Sequence, residues 1–281
     1  AGQTIDASAI ARGLFSFGRV AERVEAAYRE FFGPVTLQDL PDGPRFIFCA
    51  TNVQSGALWR FSKPYMGDYR VGRVHAPTLS IAQAVAASSA FPPFLSPTVL
   101  TLDPGDVQAD PGSDLSTPPY TQNVVLSDGG VYDNLGLEPA WKQCKTLLVS
   151  NAGGRFQPEP DPAEDWTRHS IRVAGIVDSQ VRALRTRMLL DAYRTGTRNG
   201  AYWGIRTDIA KYSVADRLDC PEWKTQELAD EETRLAKMPD DLIDRLINWG
   251  YAACDAGYRS YVHDDPAAQK PAFPYPASGV G

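Results

Sequence analysis

The chain contains 281 residues, of which 43% are hydrophobic and 22% are charged, and its formal net charge is −6. Such a composition is typical of a globular protein with one or two domains, and the acidic balance argues against a nucleic-acid binder. No apolar stretch reaches the roughly 18 residues that a transmembrane helix needs. The 4 cysteines and 3 histidines show neither Cys-x-x-Cys nor His-x-x-x-His spacing. The sequence therefore predicts neither a disulfide scaffold nor a zinc site.

The first part of the chain alternates helical and strand-like patterns. Residues 5–32 carry a loose apolar stripe with a charged opposite face, which predicts a helix that ends at Gly33. Residues 45–50 form a short apolar run and predict a buried strand. A second strand at 59–61 is expected to pair back with it across a turn. Residues 65–74 mix charges with aromatic side chains, which is typical of an exposed loop or an edge strand.

An alanine-rich stretch and a long polar stretch follow. Residues 79–90 predict a helix that is capped by Ser80 and stopped by Pro92. Residues 97–121 are rich in Asp, Pro, Gly, Ser and Thr. They predict a surface loop that is longer than most connections, and such loops often form lids near functional sites.

The stretch around Asp128 is the candidate functional motif. Residues 124–126 predict a short strand, which Asp128-Gly129-Gly130 ends. Two adjacent glycines permit backbone angles and close approaches that a Cβ forbids. A carboxylate at this strand end is therefore well placed to accept a proton from a nearby nucleophile. The alternative is a plain β-turn, because Asp-Gly is among the commonest turn dipeptides.

Two further segments change the balance between these interpretations. Together with Asp128-Gly129-Gly130, the segments Ala87-Ser88-Ser89-Ala90-Phe91-Pro92 and Ala50-Thr51-Asn52-Val53, the latter followed by Gly56, resemble the patatin-like phospholipase family. The resemblance covers about residues 37–150. That family hydrolyses lipid acyl esters with a Ser-Asp dyad. The resemblance implies that Asp128 is the dyad carboxylate, that Gly129 and Gly130 shape the site, and that no metal or cofactor is required.

The chain departs from the family pattern at the nucleophile. The family's serine lies in Gly-x-Ser-x-Gly, and neither this motif nor a preceding Gly-rich oxyanion loop occurs in the sequence. We therefore expect this chain to be the C-terminal part of such a domain, with the nucleophile segment removed, on another chain, or lost. Ser88 and Ser89 mark the motif without being the nucleophile, and they are expected to bond back to their own helix. Ser55 precedes a glycine, and a turn serine is the simpler interpretation.

The second half of the chain begins with a short helix expected near Pro139 and a buried strand at 146–150. The segment 151–155 contains two glycines and Arg155, and it is either an anion cradle or, more commonly, a plain turn. Strands that alternate with helices indicate an α/β layer whose sheet is mainly parallel.

A long helix predicted at 166–198 has an unusual charge for this acidic chain. Its arginines outnumber its aspartates and leave a surplus of five positive charges. A basic amphipathic helix binds anionic lipid with about 1 kcal/mol per basic residue near the surface. Arg172, Arg182 and Arg185 are therefore candidates for contact with a lipid surface. The alternative is a solvated face whose charges pair with the many acidic residues of the chain.

The remaining chain predicts a strand at 201–207, a helix at 240–262 and an extended tail from Asp264. The sequence as a whole predicts an α/β fold with a mainly parallel sheet flanked by helices, incomplete at its N-terminus. Residues 1–156 are expected to form the patatin-like part and residues 157–281 a mainly helical extension.

The leading function hypothesis is a lipid acyl hydrolase that acts on a lipid or acyl-ester substrate. The alternatives are a non-catalytic binding or scaffold protein and a module that docks on anionic membrane surfaces. A sheet without its first strands has unpaired edges. We therefore expect this chain to be found together with a nucleophile-bearing N-terminal segment or chain.

Overall fold

The computed structural model describes residues 17–93, 95–231, 237–262 and 270–281. The chain forms two compact units, residues 1–139 and residues 140–281. The boundary expected from the sequence, after residue 156, lies inside the second of these units. No helix in the described ranges combines the length and the hydropathy that crossing a bilayer requires.

The first unit is built on one sheet. Its strands are β1 (Phe48–Asn52), β2 (Ala57–Phe61), β3 (Tyr65–Asp68), β4 (Gly72–His75), β5 (Thr98–Thr101), β6 (Val107–Gln108) and β7 (Asn123–Asp128). The strand order of this sheet within the described residues is β5-β7-β1-β2-β3-β4-β6. All of its strand pairs are antiparallel. The prediction of a mainly parallel sheet is therefore wrong for this unit, although the α/β class fits. Between β1 and β4 the physical reason is the length of the connections, because only three or four residues join each strand to the next and such tight turns join only antiparallel strands.

Two segments of this sheet were assigned wrongly from the sequence. Residues 65–74 were expected to be an exposed loop or an edge strand, but they form the β3–β4 hairpin inside the sheet. Its turn is held by Asp68, whose Oδ1 accepts the backbone N–H groups of Arg70 and Val71 at 2.8 and 2.9 Å. Residues 97–121 were expected to be a loop, but they contain β5, which pairs with β7, and β6, which pairs with β4.

The helices of the first unit agree with the sequence patterns. α1 (Phe17–Phe32) is the described part of the helix predicted at 5–32, and residues 5–16 lie outside the described residues. Gly33 ends α1 with a φ of +70°, and its N–H donates to the Arg29 carbonyl at 2.9 Å. α2 (Ile81–Ser88) begins at Ser80, whose hydroxyl accepts the Gln83 N–H. The core between sheet and helices includes Trp59, Phe61, Leu126 and Ala84.

The second unit contains a parallel pair of strands, β8 (Thr146–Asn151) and β9 (Asn199–Gly204), which confirms the two predicted strands. The connection between them is α5 (Trp166–Arg194), a crossover of the kind that parallel strands need. Two further helices, α6 (Glu222–Ala229) and α7 (Asp240–Tyr261), follow. Trp249, which is 2% exposed, lies with Ala201 and Trp203 in the core of this unit.

The described part of the C-terminal tail, residues 270–281, is not the extended segment that the sequence predicted. The Asn248 side chain on α7 donates to the carbonyls of Tyr275 and Gly279 at 2.8 and 2.6 Å. Its Oδ1 accepts the Tyr275 N–H at 2.9 Å. Val280 is 3% exposed, so the proline-rich tail is folded back onto α7 by one buried amide.

Candidate functional site

Asp128 lies where β7 ends and a short helix, α3 (Gly129–Asp133), begins. Its Oδ1 accepts the Gly130 N–H at 2.6 Å, so the carboxylate caps the helix that follows it. The junction is therefore not a simple β-turn, because a helix begins directly after Asp128. The helix expected near Pro139 is also present as α4 (Glu138–Trp141).

Three neighbouring segments fix the backbone of Asp128. In the sheet, Asp128 is paired with Ala50 of β1. The Asp128 N–H donates to the carbonyl of Ala90, just after α2, at 2.8 Å. The Thr51 hydroxyl donates to the Asp128 carbonyl at 2.7 Å and accepts the Tyr132 N–H at 3.1 Å. The family-like segments around residues 50–53 and 87–92 therefore meet at Asp128.

Gly129 is required by a close approach of two backbones. A Cβ on this residue would lie 2.3 Å from the carbonyl oxygen of Cys49, which is closer than real contacts allow. A Cβ on Gly130 would lie 2.9 Å from Oδ1 of Asp128. The two glycines thus allow α3 to start against β1 with the carboxylate folded onto its first turn.

The environment of the Asp128 carboxylate shifts its proton affinity. Burial raises the pKa of this half-buried group, and the hydrogen bond from Gly130 opposes the shift. While Oδ1 is engaged, no donor from the described residues reaches Oδ2. The second oxygen is therefore available to accept a proton, and the raised pKa makes it a better base than an exposed aspartate.

Serines in the segments that surround Asp128 are used within the fold. The Ser89 hydroxyl donates to the Val85 carbonyl at 2.8 Å, as expected for a serine in a helix. Ser127 donates to the Ala90 carbonyl at 3.2 Å and accepts the Ser96 hydroxyl at 3.0 Å. Among the described residues, none of these hydroxyls donates to the Asp128 carboxylate.

A different serine–aspartate pair does exist, and sequence reasoning missed it. The Ser55 hydroxyl donates to Oδ2 of Asp68 at 2.8 Å, and both residues are 5% exposed. The same oxygen accepts Asn52 Nδ2 at 2.8 Å, while Oδ1 holds the β3–β4 turn. Asp68 is thus a saturated structural acceptor, and Ser55 is the turn serine that the sequence favoured. The only local signal was an aspartate before a turn.

The segment 151–155 was one of the candidate anion-binding sites, but hydrogen bonds within the protein already use its polar groups. The Gly153 N–H donates to Asn151 Oδ1 at 2.9 Å, and Arg182 donates to the Gly154 carbonyl at 3.0 Å. This leaves the plain turn as the simpler interpretation.

The lipid-surface candidates on α5 have partners inside the second unit. Arg172 pairs with Glu159 at 2.7 Å and lies over the Phe156 ring, with 4.7 Å from Cζ to the ring centroid. Arg182 pairs with Asp178 at 2.6 Å, and Arg185 is not free either. Contact with a lipid surface stays a prediction, and it requires these arginines to act while paired.

The described ranges contain no group of three or more His, Cys, Asp or Glu residues that is arranged to hold a metal ion.

Residues 3–141 match the family model described as patatin-like phospholipase. No curated protein and no solved structure matches the chain significantly. The matched region contains Asp128 and both segments that meet it, and it ends at the last residue of α4. The match supports membership of residues 3–141 in the patatin-like phospholipase family.

Proposed function

We propose that the first unit is the carboxylate-bearing part of a lipid acyl hydrolase with a Ser-Asp dyad. Asp128 is the dyad carboxylate, and a segment outside these 281 residues supplies the serine and the Gly-rich oxyanion loop. The observation that carries the proposal is the state of Asp128, whose Oδ1 is held by Gly130 while Oδ2 has no donor among the described residues. The match of this region to a generally hydrolytic family supports the reaction class.

In the proposed reaction, the serine hydroxyl donates to Oδ2 of Asp128. As its oxygen attacks the acyl carbonyl carbon, its proton passes to the carboxylate, and backbone N–H groups stabilise the oxyanion. The protonated Asp128 then gives this proton to the leaving alkoxide, and an acyl-serine remains. Water attacks the acyl group while Asp128 takes its proton, and that proton returns to the serine as the acid leaves. A partly desolvated carboxylate suits this role because its basicity is raised.

The test compares two aspartates whose side chains each accept the backbone N–H of a glycine two residues later. Asp128 accepts the N–H of Gly130, and Asp103 accepts the N–H of Gly105 at 2.9 Å in an exposed turn. The protein would be produced together with its upstream coding sequence and assayed on p-nitrophenyl acyl esters. We expect Asp128→Asn to lower kcat by a factor of about 10² to 10⁴, as for loss of a general base. Asp103→Asn should leave kcat unchanged, and an active Asp128→Asn protein would refute the proposal.

A binding or scaffold protein is the second candidate, favoured by the fact that no described serine donates to Asp128. Intact-mass analysis and N-terminal sequencing of the purified material decide between the two. A polypeptide with Gly-x-Ser-x-Gly supports the hydrolase. A protein that lacks such a serine, and shows no esterase activity, supports the scaffold.

Docking on an anionic membrane surface is a separate proposal that rests on Arg172, Arg182 and Arg185. Sedimentation with anionic liposomes at low and high salt tests it. Electrostatic docking weakens as salt rises, whereas binding that is independent of salt would contradict a role for the arginines.

A further inference from the structure

The second unit contains a cleft of about 620 Å³ that is unrelated to the residues around Asp128. It lies between the last turn of α5, the start of β9 and the segment 207–212. This volume is within the range of ≈ 300–1,000 Å³ that is usual for small-molecule sites. All of its lining residues belong to the second unit, so the cleft can be considered without reference to the first.

Aromatic rings in fixed positions form part of the cleft wall. Tyr193, Tyr202, Tyr212 and Tyr261 all line it. The Tyr193 hydroxyl donates to the Leu147 carbonyl at 2.7 Å, and Tyr212 donates to the Tyr202 carbonyl at 3.0 Å. Because these hydroxyls are bound to backbone, the rings are held in place and offer apolar faces. Burial raises the pKa of Tyr193 to about 12, so this wall is uncharged near neutral pH.

The cleft is also positively charged. Arg194, Arg198 and Lys211 line it, and Asp208 is the one acidic residue among its described lining residues. The guanidinium of Arg198 is already engaged within the protein, because it donates to the Trp141 carbonyl at 2.9 Å and lies over the Trp141 ring. Asp208 accepts the Ala210 N–H at 2.9 Å and lies 3.6 Å from Lys211, a loose contact with an exposed lysine.

Arg194 differs from Arg198 because its guanidinium has no partner among the described residues. No hydrogen bond or ion pair joins its guanidinium to any other residue in the described part of the chain. The other arginines discussed on α5 are engaged by carboxylates or carbonyls, for example Arg182 with Asp178 and Gly154. An unpaired guanidinium beside tyrosine rings gives one anion-binding group next to an apolar surface.

We propose that this cleft binds an anionic amphiphile, with its apolar body against the tyrosine rings and its carboxylate or phosphate on Arg194 and Lys211. A guanidinium binds either head group through two parallel hydrogen bonds, and such charge-assisted bonds are the strong ones. The tyrosine rings supply apolar contact without a need to reorganise. The site does not depend on the hydrolase proposal, because it uses no residue of the first unit.

The experiment measures binding by titration calorimetry on the whole chain. The probes are decanoate and decyl phosphate, each below its micelle concentration, and uncharged decanol below its solubility limit. We expect the two anions to bind. Decanol should bind more weakly by a factor of about ten or more, because it cannot form a charge-assisted hydrogen bond, and a tenfold loss corresponds to ~1.4 kcal/mol. The stronger of the two anions identifies the head group as carboxylate or phosphate.

Two variants and a matched control locate the site. Arg194→Gln should weaken binding of the preferred anion about tenfold, and Leu190→Trp, which places bulk in the cleft, should abolish binding of all probes. Arg187→Gln removes an exposed arginine of the same helix that does not line the cleft, and it should bind as the parent does. Equal loss in Arg187→Gln and Arg194→Gln, or decanol binding as tightly as decanoate, would overturn the proposal. Circular dichroism verifies that each variant is folded.

Discussion

The hydroxyl of Thr51 lies 2.7 Å from the carbonyl oxygen of Asp128 and, at the same time, 3.1 Å from the N–H of Tyr132. One side chain of β1 therefore holds both the residue before α3 and a residue within it. Thr51 is 6% exposed, so water does not readily replace either bond. This makes Thr51 a positioning residue for the candidate carboxylate.

Thr51→Val keeps the shape of the side chain and removes both hydrogen bonds. The Asp128 carbonyl and the Tyr132 N–H then lose a partner in a buried place, so we expect the free energy of unfolding to fall by about 1–3 kcal/mol. Urea denaturation measures this change. Thr51→Ser retains the hydroxyl and should recover most of the loss. An unaltered midpoint for Thr51→Val would show that these bonds do not hold the junction.

Gly129→Ala places a methyl group 2.3 Å from the Cys49 carbonyl oxygen and 2.9 Å from the Cys49 carbonyl carbon, and both of these atoms belong to the backbone. The β1–α3 contact must shift, so we expect a destabilisation of about 1–3 kcal/mol, as is usual for overpacking. Thermal denaturation measures the effect. The control is Gly250→Ala on α7, where a Cβ meets nothing within 4 Å and where helix propensity predicts a gain of up to about 1 kcal/mol. Equal behaviour of the two variants would contradict the steric argument.

The raised pKa of Asp128 predicts how stability depends on pH. Burial disfavours the charged carboxylate in the folded state. The protein is therefore less stable when this group is ionised, and the cost appears as pH rises from the unfolded-state pKa of about 3.9 through the higher folded-state pKa.

Asp128→Asn removes this cost and keeps an oxygen that accepts the Gly130 N–H. We expect the variant to match or exceed the parent in thermal midpoint at pH 7, with the difference vanishing at a pH below about 3.9. A variant that is clearly less stable at pH 7 would mean that the charge stabilises the fold, contrary to the direction of the shift. Asp103→Asn, in an exposed turn, serves as the reference.

The buried pair of Ser55 and Asp68 is expected to serve the fold and not the reaction. Asp68→Ala leaves the Asn52 amide, the Ser55 hydroxyl and two backbone N–H groups without their acceptor, so we expect a loss of about 3 kcal/mol or more. Ser55→Ala removes one hydroxyl and should cost less. In the protein that includes its upstream segment, Ser55→Ala should leave esterase kcat unchanged, and loss of activity in a folded Ser55→Ala protein would make Ser55 the nucleophile.

Local signals in the sequence were enough to find several elements and the key carboxylate. The Ser80 cap, the Gly33 stop and the apolar runs of β1, β7 and β8 each depend on residues close in the chain. Asp128 was found because two glycines follow it. The short motif gave no information about the hydrogen bonds that Thr51 and Ala90, which are distant in the chain, form with the backbone of this aspartate.

The wrong assignments of the β3–β4 segment and of the C-terminal tail share a physical cause. In both, the sequence alone does not show the partner that buries a polar group or binds a polar segment. Asp68 and its neighbours look solvent-exposed in sequence, yet Asn52 and Ser55 satisfy the carboxylate and allow β3 to lie inside the sheet. The tail after α7 looks extended, yet Asn248 binds it. Strand direction was misjudged for a related reason, because a strand's own residues do not state which neighbour it pairs with.

The parallel pair of β8 and β9 has a practical consequence. Within the described residues each of the two strands pairs only with the other, and Leu148 in the middle of β8 is 48% exposed. Two strands are fewer than a sheet needs for independent stability, and an uncovered strand edge is a template for another chain. The propensity to aggregate during concentration and storage should therefore reside in this corner of the molecule, and a lysine in place of Leu148 is the substitution with which to improve its solubility.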